Sequence, residues 1–278
     1  MLKFARRAAL AGVAIGLAFP AMAADLSEPM VVEAPEPGPA PVYQAPAEVG
    51  GWYLRGDVGY GWSDVDDIRY INYGDPGRYG KLTGDLKGSF SAGAGVGYQV
   101  NDHFRVDLTA DHWFKRDFRG SSDGFRNGAA YTTVDSSSVS TWLLLANAYV
   151  DIGTWNGITP YVGAGIGGAH VKWDELHNDD IIHKGSGNWR FAAAVMAGAS
   201  YCLTDRVKLD AGYRFSRIQG GKMFEYANIG NNGPGWDRGF NTHEVRAGLR
   251  YQFGGRSSDC APAEVVSYEP APVEPIYK

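Results

Sequence analysis

Segments in which apolar and polar residues alternate dominate this chain, and their period of two restricts the fold more than any other feature. The stretch HEVRAGLRYQF, residues 243–253, is the clearest example. Its odd-numbered positions from Val245 to Phe253 are apolar, and polar or charged residues stand between them. Successive side chains of a β-strand point to opposite faces, so the pattern predicts a strand with one apolar and one charged face.

Eight such segments of about 10 to 13 residues lie between Gly51 and Phe253, close to the roughly 9 to 11 residues of a tilted strand that crosses a bilayer. Short joins rich in Asn, Asp and Gly alternate with long hydrophilic joins, which cover roughly residues 63–87, 117–138, 172–188 and 218–241. This order predicts an all-β fold, an eight-stranded antiparallel up-and-down transmembrane β-barrel over residues 51–253. Its short turns would lie in the periplasm and its four long loops outside the cell.

Alternation alone leaves open which face lines the interior, because a soluble lipocalin-like barrel would bury the apolar face. Two features favour the membrane orientation. The polar face of the second and fifth segments is rich in Gly and Ser, which suits a crowded interior. Aromatic residues on the apolar face cluster near strand ends, as an interfacial girdle requires.

The charged residues are then expected inside, where a barrel of about eight strands is filled by side chains. Both signs are present, so we expect a buried ion-pair network; a charged narrow pore is the alternative. The predicted network comprises Arg55, Asp57, Arg105, Asp107, Asp111, Lys208, Asp210, Arg214, Glu244, Arg246 and Arg250, and the same register adds Lys115, Asp151 and Arg190.

The first residues have the composition of a secretory signal. Lys3, Arg6 and Arg7 precede an apolar run that ends at Phe19, and a small-x-small cleavage site follows. The run is about a dozen residues, shorter than the roughly 20 of a membrane-spanning helix. We therefore expect a signal peptide over residues 1–23. Its removal makes the formal net charge three units more negative than −5, which argues against a nucleic-acid partner.

Proline recurs in the two segments that flank the alternating region. Residues 24–50 predict an extended periplasmic tether and residues 254–278 a periplasmic tail, with plain disorder as the alternative for both. Cys202 falls at the periplasmic end of the sixth segment, and Cys260 follows the last strand on the same side. A disulfide between these two cysteines is a hypothesis.

The residues of an enzyme or metal site are not recognisable in the pattern. His112, His170 and His243 fall near the outer strand ends on the lipid-facing register, without the serine-centred elbow that a barrel hydrolase would need. The acidic and histidine residues between 174 and 183 match no dedicated calcium or zinc spacing. We therefore predict a protein without catalytic residues, cofactor or metal.

Three stretches carry a family resemblance: GWYLRGDVGYGW at residues 51–62, PYVGAGIGGA at 160–169 and RYQF at 250–253. They resemble the OmpA-like small β-barrel superfamily, and look most like alphaproteobacterial outer-membrane immunogenic proteins and opacity-type porins. The resemblance implies a Gram-negative outer-membrane location, with outer-membrane lipid and lipopolysaccharide as neighbours. It also implies insertion by the barrel-assembly machinery, which reads a final aromatic strand end that Tyr251 and Phe253 match. In this family the last Phe is normally at or near the C-terminus, whereas a tail follows it here.

The resemblance bears on the mature N-terminus as well. In related alphaproteobacterial barrels a mature chain that begins Ala-Asp can be joined covalently to peptidoglycan, and Ala24 followed by Asp25 matches this pattern. We thus expect a structural, non-enzymatic barrel that supports envelope integrity, attached to peptidoglycan through Ala24, and that presents surface loops. A small-solute porin or ion pore, and a surface adhesin, are the alternatives.

Overall fold

The protein is described by a computed structural model that covers residues 50–65, 67–72, 79–126, 129–179, 181–227, 232–253 and 260. The predicted signal peptide, the tether up to residue 49 and the tail apart from Cys260 lie outside the described residues. Within the described ranges all regular structure is β-strand, and no helix there is long and apolar enough to cross a membrane. The prediction of an all-β, antiparallel architecture is confirmed.

Eleven strands form one sheet, eight of them long and three short. They are β1 (Gly51–Val65), β2 (Ile68–Asn72), β3 (Tyr79–Gln99), β4 (Phe104–Arg126), β5 (Ala129–Asp151), β6 (Ile158–Trp173), β7 (Leu176–Asn178), β8 (Ile181–Gly185), β9 (Gly187–Cys202), β10 (Val207–Ala227) and β11 (Asn232–Phe253).

The pairings of the long strands return to their starting point. The first strand pairs with both β3 and β11, and the remaining neighbours are β3–β4, β4–β5, β5–β6, β6–β9, β9–β10 and β10–β11, all antiparallel. Each long strand therefore has two partners, so its backbone donors and acceptors are satisfied within the ring, as hydrocarbon surroundings require. The ring has a short-turn end, with joins at residues 100–103, 152–157 and 203–206, and an opposite, long-hairpin end.

The long joins are mostly strand, so their prediction as loops was wrong. For example, β4 runs to Arg126 and β5 begins at Ala129, within the join predicted as a loop over residues 117–138. The short strands β2, β7 and β8 also lie in predicted loops and pair at the long-hairpin end. The hairpins continue because apolar residues such as Phe118 and Val139 remain buried inside them.

A β-bulge in β4 explains why Lys115 lies on the outer surface, although it was predicted to point inward. Between Trp113 and Arg116, β4 carries one residue more than β5. An inserted residue exchanges the two faces of a strand beyond it. Phe114 and Lys115 are accordingly both exposed, and Arg116 is buried in their stead. The prediction that Lys115 points inward was wrong, and its Nζ binds the Asp174 carboxylate on the outer surface at 2.7 Å.

The distribution of exposure is the reverse of that in a water-soluble barrel. Arg105 and Arg214 are 1% and 0% exposed, whereas Leu108 and Phe90 are 61% and 68% exposed. On β1 the apolar exterior positions run from Trp52 to Trp62. This span is about 33 Å along the strand, or roughly 25 Å across a membrane at a tilt of ~40°, which is the height of the apolar band of an outer-membrane barrel.

Candidate functional site: the filled interior and the long-hairpin end

Ion pairs fill the interior nearest the short-turn end. Arg105 Nε lies 3.1 Å from the Asp151 carboxylate, and its guanidinium stacks over the rings of Tyr149 and Tyr161 at 4.0 and 4.6 Å. Arg55 contacts Asp57 at 2.7 Å and Asp107 at 3.0 Å. It also donates to Tyr149 Oη at 3.2 Å. Since Arg55 is on β1 and Tyr149 on β5, the hydrogen bond between them crosses the interior of the strand ring.

A second group of ion pairs lies further up the interior. Arg246 lies 3.3 Å from Asp57 and 3.0 Å from Asp111. Arg214 lies 2.6 Å from both Asp111 and Glu244. Each buried carboxylate in this group meets an arginine, so the charges compensate one another where water is excluded.

The structure brings the predicted network together on the buried side. Its most exposed member, Arg246, has a side chain that is 9% exposed. The alternation pattern did not predict the partner of Arg190. This partner is Asp237, 2.6 Å away, which lies in a segment predicted as a loop. The pattern also missed Arg116, which donates to Ser63 Oγ and stacks on Trp113 at 4.7 Å.

Above the ion pairs, towards the long-hairpin end, apolar side chains fill the interior. Trp173 on β6 meets Phe118 on β4 with ring centroids 5.7 Å apart, and Phe240 on β11 at 5.9 Å. These strands are not neighbours, so the rings meet across the interior. We call this cluster the apolar plug: Ile68, Leu82, Leu86, Trp113, Phe118, Val139, Leu143, Leu145, Ala169, Val171, Trp173, Leu176, Ala192, Ala194, Ile218, Met223, Phe224 and Phe240.

A buried polar cluster joins β7 to the β4–β5 hairpin. The Asn178 amide donates to Thr133 Oγ1 at 2.9 Å and to Asp135 Oδ1. Asp135 is 0% exposed, and its Oδ2 has no partner among the described residues. Burial raises the pKa of Asp135 to about 6, and the charge of Asp179 acts in the same direction. A carboxyl group in this position changes its charge near neutral pH.

A polar cleft of about 700 Å³ opens on the exterior of the long-hairpin end. Its charged and polar residues are Asp117, Arg119, Ser136, Ser137, Ser138, Asp174, Glu175, His177 and Lys184. Lys115 holds Asp174 through a hydrogen bond that, as the largest contribution, keeps the pKa of Asp174 below its usual range. The cleft thus presents both signs of charge and several hydroxyl groups.

Two of the three histidines predicted on the lipid-facing register lie in a row with tryptophans. His112, Trp142, His170 and Trp189 are direct cross-strand neighbours on β4, β5, β6 and β9. The His112–Trp142 and His170–Trp189 ring centroids are 4.6 and 5.3 Å apart. We call these four residues the outer aromatic row. On the other side of the ring His243 stacks on Trp62 at 5.9 Å.

The remaining predicted site residues lie at the short-turn end or beyond the described residues. Cys202 and Cys260 form a disulfide with Cα atoms 5.5 Å apart. Tyr251 and Phe253 face outward from the end of β11, with ring centroids 6.3 Å apart. Ala24 lies outside the described residues. Among those that are described, no group of three or more His, Cys, Asp or Glu side chains could hold a metal ion.

Comparison with known proteins agrees with this architecture. A family model described as outer membrane protein beta-barrel domain matches residues 11–253. An uncharacterized protein of Brucella abortus (strain 2308) is 38% identical, over 89% of this chain and 99% of the relative. The outer membrane protein PagN of Salmonella typhimurium is 28% identical, over 73% and 90%. A putative adhesin of Rickettsia bellii is 25% identical, over 72% and 87%.

Proposed function

The chain belongs to the family of outer membrane protein beta-barrel domains, and on that premise we propose a structural, non-conducting, eight-stranded transmembrane barrel that supports envelope integrity. It lies in the outer membrane of a Gram-negative bacterium. The short-turn end faces the periplasm and the long-hairpin end faces the cell exterior, as is usual for such barrels. Membership of the alphaproteobacterial immunogenic and opacity-type group is part of the proposal, as is insertion by the barrel-assembly machinery through Tyr251 and Phe253.

The observation that carries the non-conducting role is the filled interior. A solute would have to pass the ion pairs around Arg55 and Arg214 and then the apolar plug around Trp173. Opening the first region would separate buried charges. Opening the second would displace aromatic side chains that pack on one another across the barrel interior. Both are costly, so the barrel is closed to small solutes. The same pairing leaves the interior carboxylates engaged with arginine, which supports a non-enzymatic role.

Planar-bilayer recording tests this role directly. The purified full-length protein should add no conductance steps to the lipid background. The variant Trp173→Gly/Phe240→Ala removes two aromatic side chains of the apolar plug and should also stay closed, because the ion pairs around Arg55 and Arg214 still fill the interior nearer the short-turn end. Steady unitary steps from the unmodified protein would instead establish a pore.

The periplasmic side supports attachment to the cell wall. Trp52 at the start of the ring pairs with Phe253 at its end, so the two ends of the ring to which the proline-rich segments are joined both lie at the short-turn end. We propose that the tether carries peptidoglycan on Ala24. Mass spectrometry of muramidase-released protein should find Ala24 linked to a cell-wall fragment, and an unmodified mature N-terminus in all of the protein would refute the attachment.

A surface adhesin is the second candidate, because the long-hairpin end is folded rather than a set of loops. The apolar plug holds its hairpins in place, and the cleft beside Asp174 offers polar groups to a partner. A relative in Rickettsia bellii bears the name putative adhesin. Cells that display the protein should adhere to host cells more than cells that display Arg119→Glu/Lys184→Glu, a variant that reverses both cleft cations. Equal adhesion of both strains, at equal surface levels, would exclude a cleft-dependent adhesin.

A further inference from the structure

We infer that the exterior of β3–β6 binds one lipid of the outer leaflet at a defined site, a phosphorylated amphiphile with several acyl chains. The inference rests on the proposed transmembrane orientation, and it goes further by assigning a headgroup contact and an acyl-chain groove to named residues. Two separate features carry it, an apolar groove and a cationic position at the upper end of that groove.

The groove is an open apolar depression of about 690 Å³ on the outside of the ring. Its floor is made of small residues, Ala94, Ala110, Ala146 and Gly168, and Leu108 and Leu144 are among the larger side chains beside them. A second groove of about 570 Å³ continues it towards the short-turn end. Together they form an elongated apolar depression in which acyl chains can lie against the ring.

The strand β6 leads from this groove to a cation. Its exterior positions are Ile166, Gly168, His170 and Lys172 in succession, and each step of two residues advances by about 6.6 Å. The groove therefore ends at the imidazole of His170, in the outer aromatic row, and the ammonium of Lys172 lies just beyond. Gly187 is directly opposite Lys172 and has no side chain to cover it.

The charge of Lys172 is available to a ligand. Lys172 is exposed, and no ion pair to it occurs among the described residues. The neighbouring carboxylate, Asp174, is held by Lys115 at 2.7 Å and by Ser138 Oγ at 2.8 Å. Lysine binds phosphate as a point charge, and the phosphate of an outer-leaflet lipid lies next to its acyl chains, as Lys172 lies next to the groove.

The same charge argues against a second copy of this chain as the occupant. A two-fold pairing through the small-residue floor would place identical patches face to face, and each patch carries Lys172 and His170. An anionic amphiphile is complementary to both parts of the patch, whereas a second copy matches only the apolar part.

The test uses the purified full-length protein in detergent and two probes, diphosphoryl lipid A and the same lipid after removal of its phosphates. Native mass spectrometry should show one diphosphoryl lipid A retained, more tightly than the dephosphorylated lipid. Lys172→Glu should weaken its binding about tenfold, equivalent to ~1.4 kcal/mol. Arg206→Glu makes the same charge change at an exposed position of the short-turn end and should bind like the unmodified protein.

The groove has its own matched pair of variants. Ala110→Leu/Ala146→Leu fills the floor and should also weaken retention, whereas Ala197→Leu/Ala211→Leu adds the same bulk on the exterior of β9 and β10 and should not. Equal effects of Lys172→Glu and Arg206→Glu, equal binding of both probes, or unchanged binding after filling the groove would each overturn the inference. A dimer lost only in the groove-filling variant would identify a second copy as the occupant instead.

Heat-modifiable gel migration separates these outcomes from failure of the proposed function. A protein that migrates as a folded barrel but is indifferent to every change above refutes the lipid site alone. A protein that shows no folded form in detergent refutes the barrel, and the lipid site with it.

Discussion

Arg214 is the residue whose contacts best define the energetics of the interior. Its guanidinium is 0% exposed and pairs with Asp111 and Glu244. Arg214→Ala should lower the free energy of unfolding by about 3–5 kcal/mol, because Glu244 would remain buried without a cation. Urea unfolding, followed by gel migration of the folded and unfolded forms, measures the change.

A surface pair provides the control for Arg214. Lys87 lies 3.4 Å from Asp117, and both side chains are more than half exposed. Lys87→Ala should change the free energy of unfolding by only ~0–1 kcal/mol. Similar losses in Arg214→Ala and Lys87→Ala would mean that the interior is hydrated and that its ion pairs are not desolvated.

Asp135 should give the long-hairpin end a pH dependence. Its folded-state pKa, about 6, is above that of an unfolded chain, about 3.9. The stabilisation is therefore complete below the unfolded pKa and is lost as the pH rises through about 6. Hydrogen-exchange protection of the amides of β7, corrected for intrinsic exchange rates, should fall over this range.

Asp135→Asn keeps the shape of the side chain and removes its titration. The fall in β7 protection between about pH 5 and 8, where unperturbed carboxylates are already ionised, should then be absent. Asp117→Asn, at an exposed carboxylate, should retain the fall seen in the unmodified protein. A fall that persists in Asp135→Asn would assign the pH dependence to another group.

At the scale of single residues, alternation was sufficient to place the interior charges on the strands but not to pair them. Arg55 and Asp107 were predicted on the same face, and the structure joins them. Lys115 was misplaced because one bulge in β4 changes the parity of every later position. A bulge costs one unpaired residue and leaves little trace in a single sequence, so Arg116 could not be distinguished from its neighbour.

Among the elements, the extended hairpins depend on the apolar plug. Phe118 is 0% exposed and packs on Trp173. Phe118→Ala should lower the stability of the long-hairpin end by about 3–5 kcal/mol, while the pairing of the ring within the membrane persists. Limited proteolysis of intact cells should then cleave the hairpins faster, with unchanged heat-modifiable migration.

Val134 offers a matched exterior position in the same hairpin, since it is 71% exposed. Val134→Ala should leave the cleavage rate near that of the unmodified protein, because almost no apolar area is lost. If Phe118→Ala and Val134→Ala were cleaved alike, the plug would not be what holds the hairpins.

The elements inside the membrane were more predictable than those beyond it. Exterior residues that face lipid must be apolar, so the pattern is strict from Trp52 to Trp62. Beyond the outer aromatic row both faces can be polar, and the segments resemble loops in sequence. The burial of Phe118 and Phe240 inside them depends on partners from strands distant in sequence, which no local pattern records.

The whole molecule has one inverted arrangement, with charged side chains inside the ring and apolar side chains outside it. The closure of the strand ring, the ion pairs of the interior and the height of the apolar band all follow from it. The closure of the strand ring could be anticipated from the membrane orientation, because an open strand edge cannot be placed in hydrocarbon. The disulfide between Cys202 and Cys260 could only be a hypothesis, since spacing alone does not bring two cysteines together.

Spin-label accessibility in reconstituted membranes tests this arrangement most directly. Labels placed singly at Leu108, Leu144 and Val195, which all lie on the exterior, should collide frequently with oxygen and rarely with a water-soluble nickel chelate. A label at Thr109, one residue from Leu108 and 5% exposed, should collide rarely with either. High oxygen accessibility at Thr109, or nickel accessibility at the three exterior positions, would contradict the account.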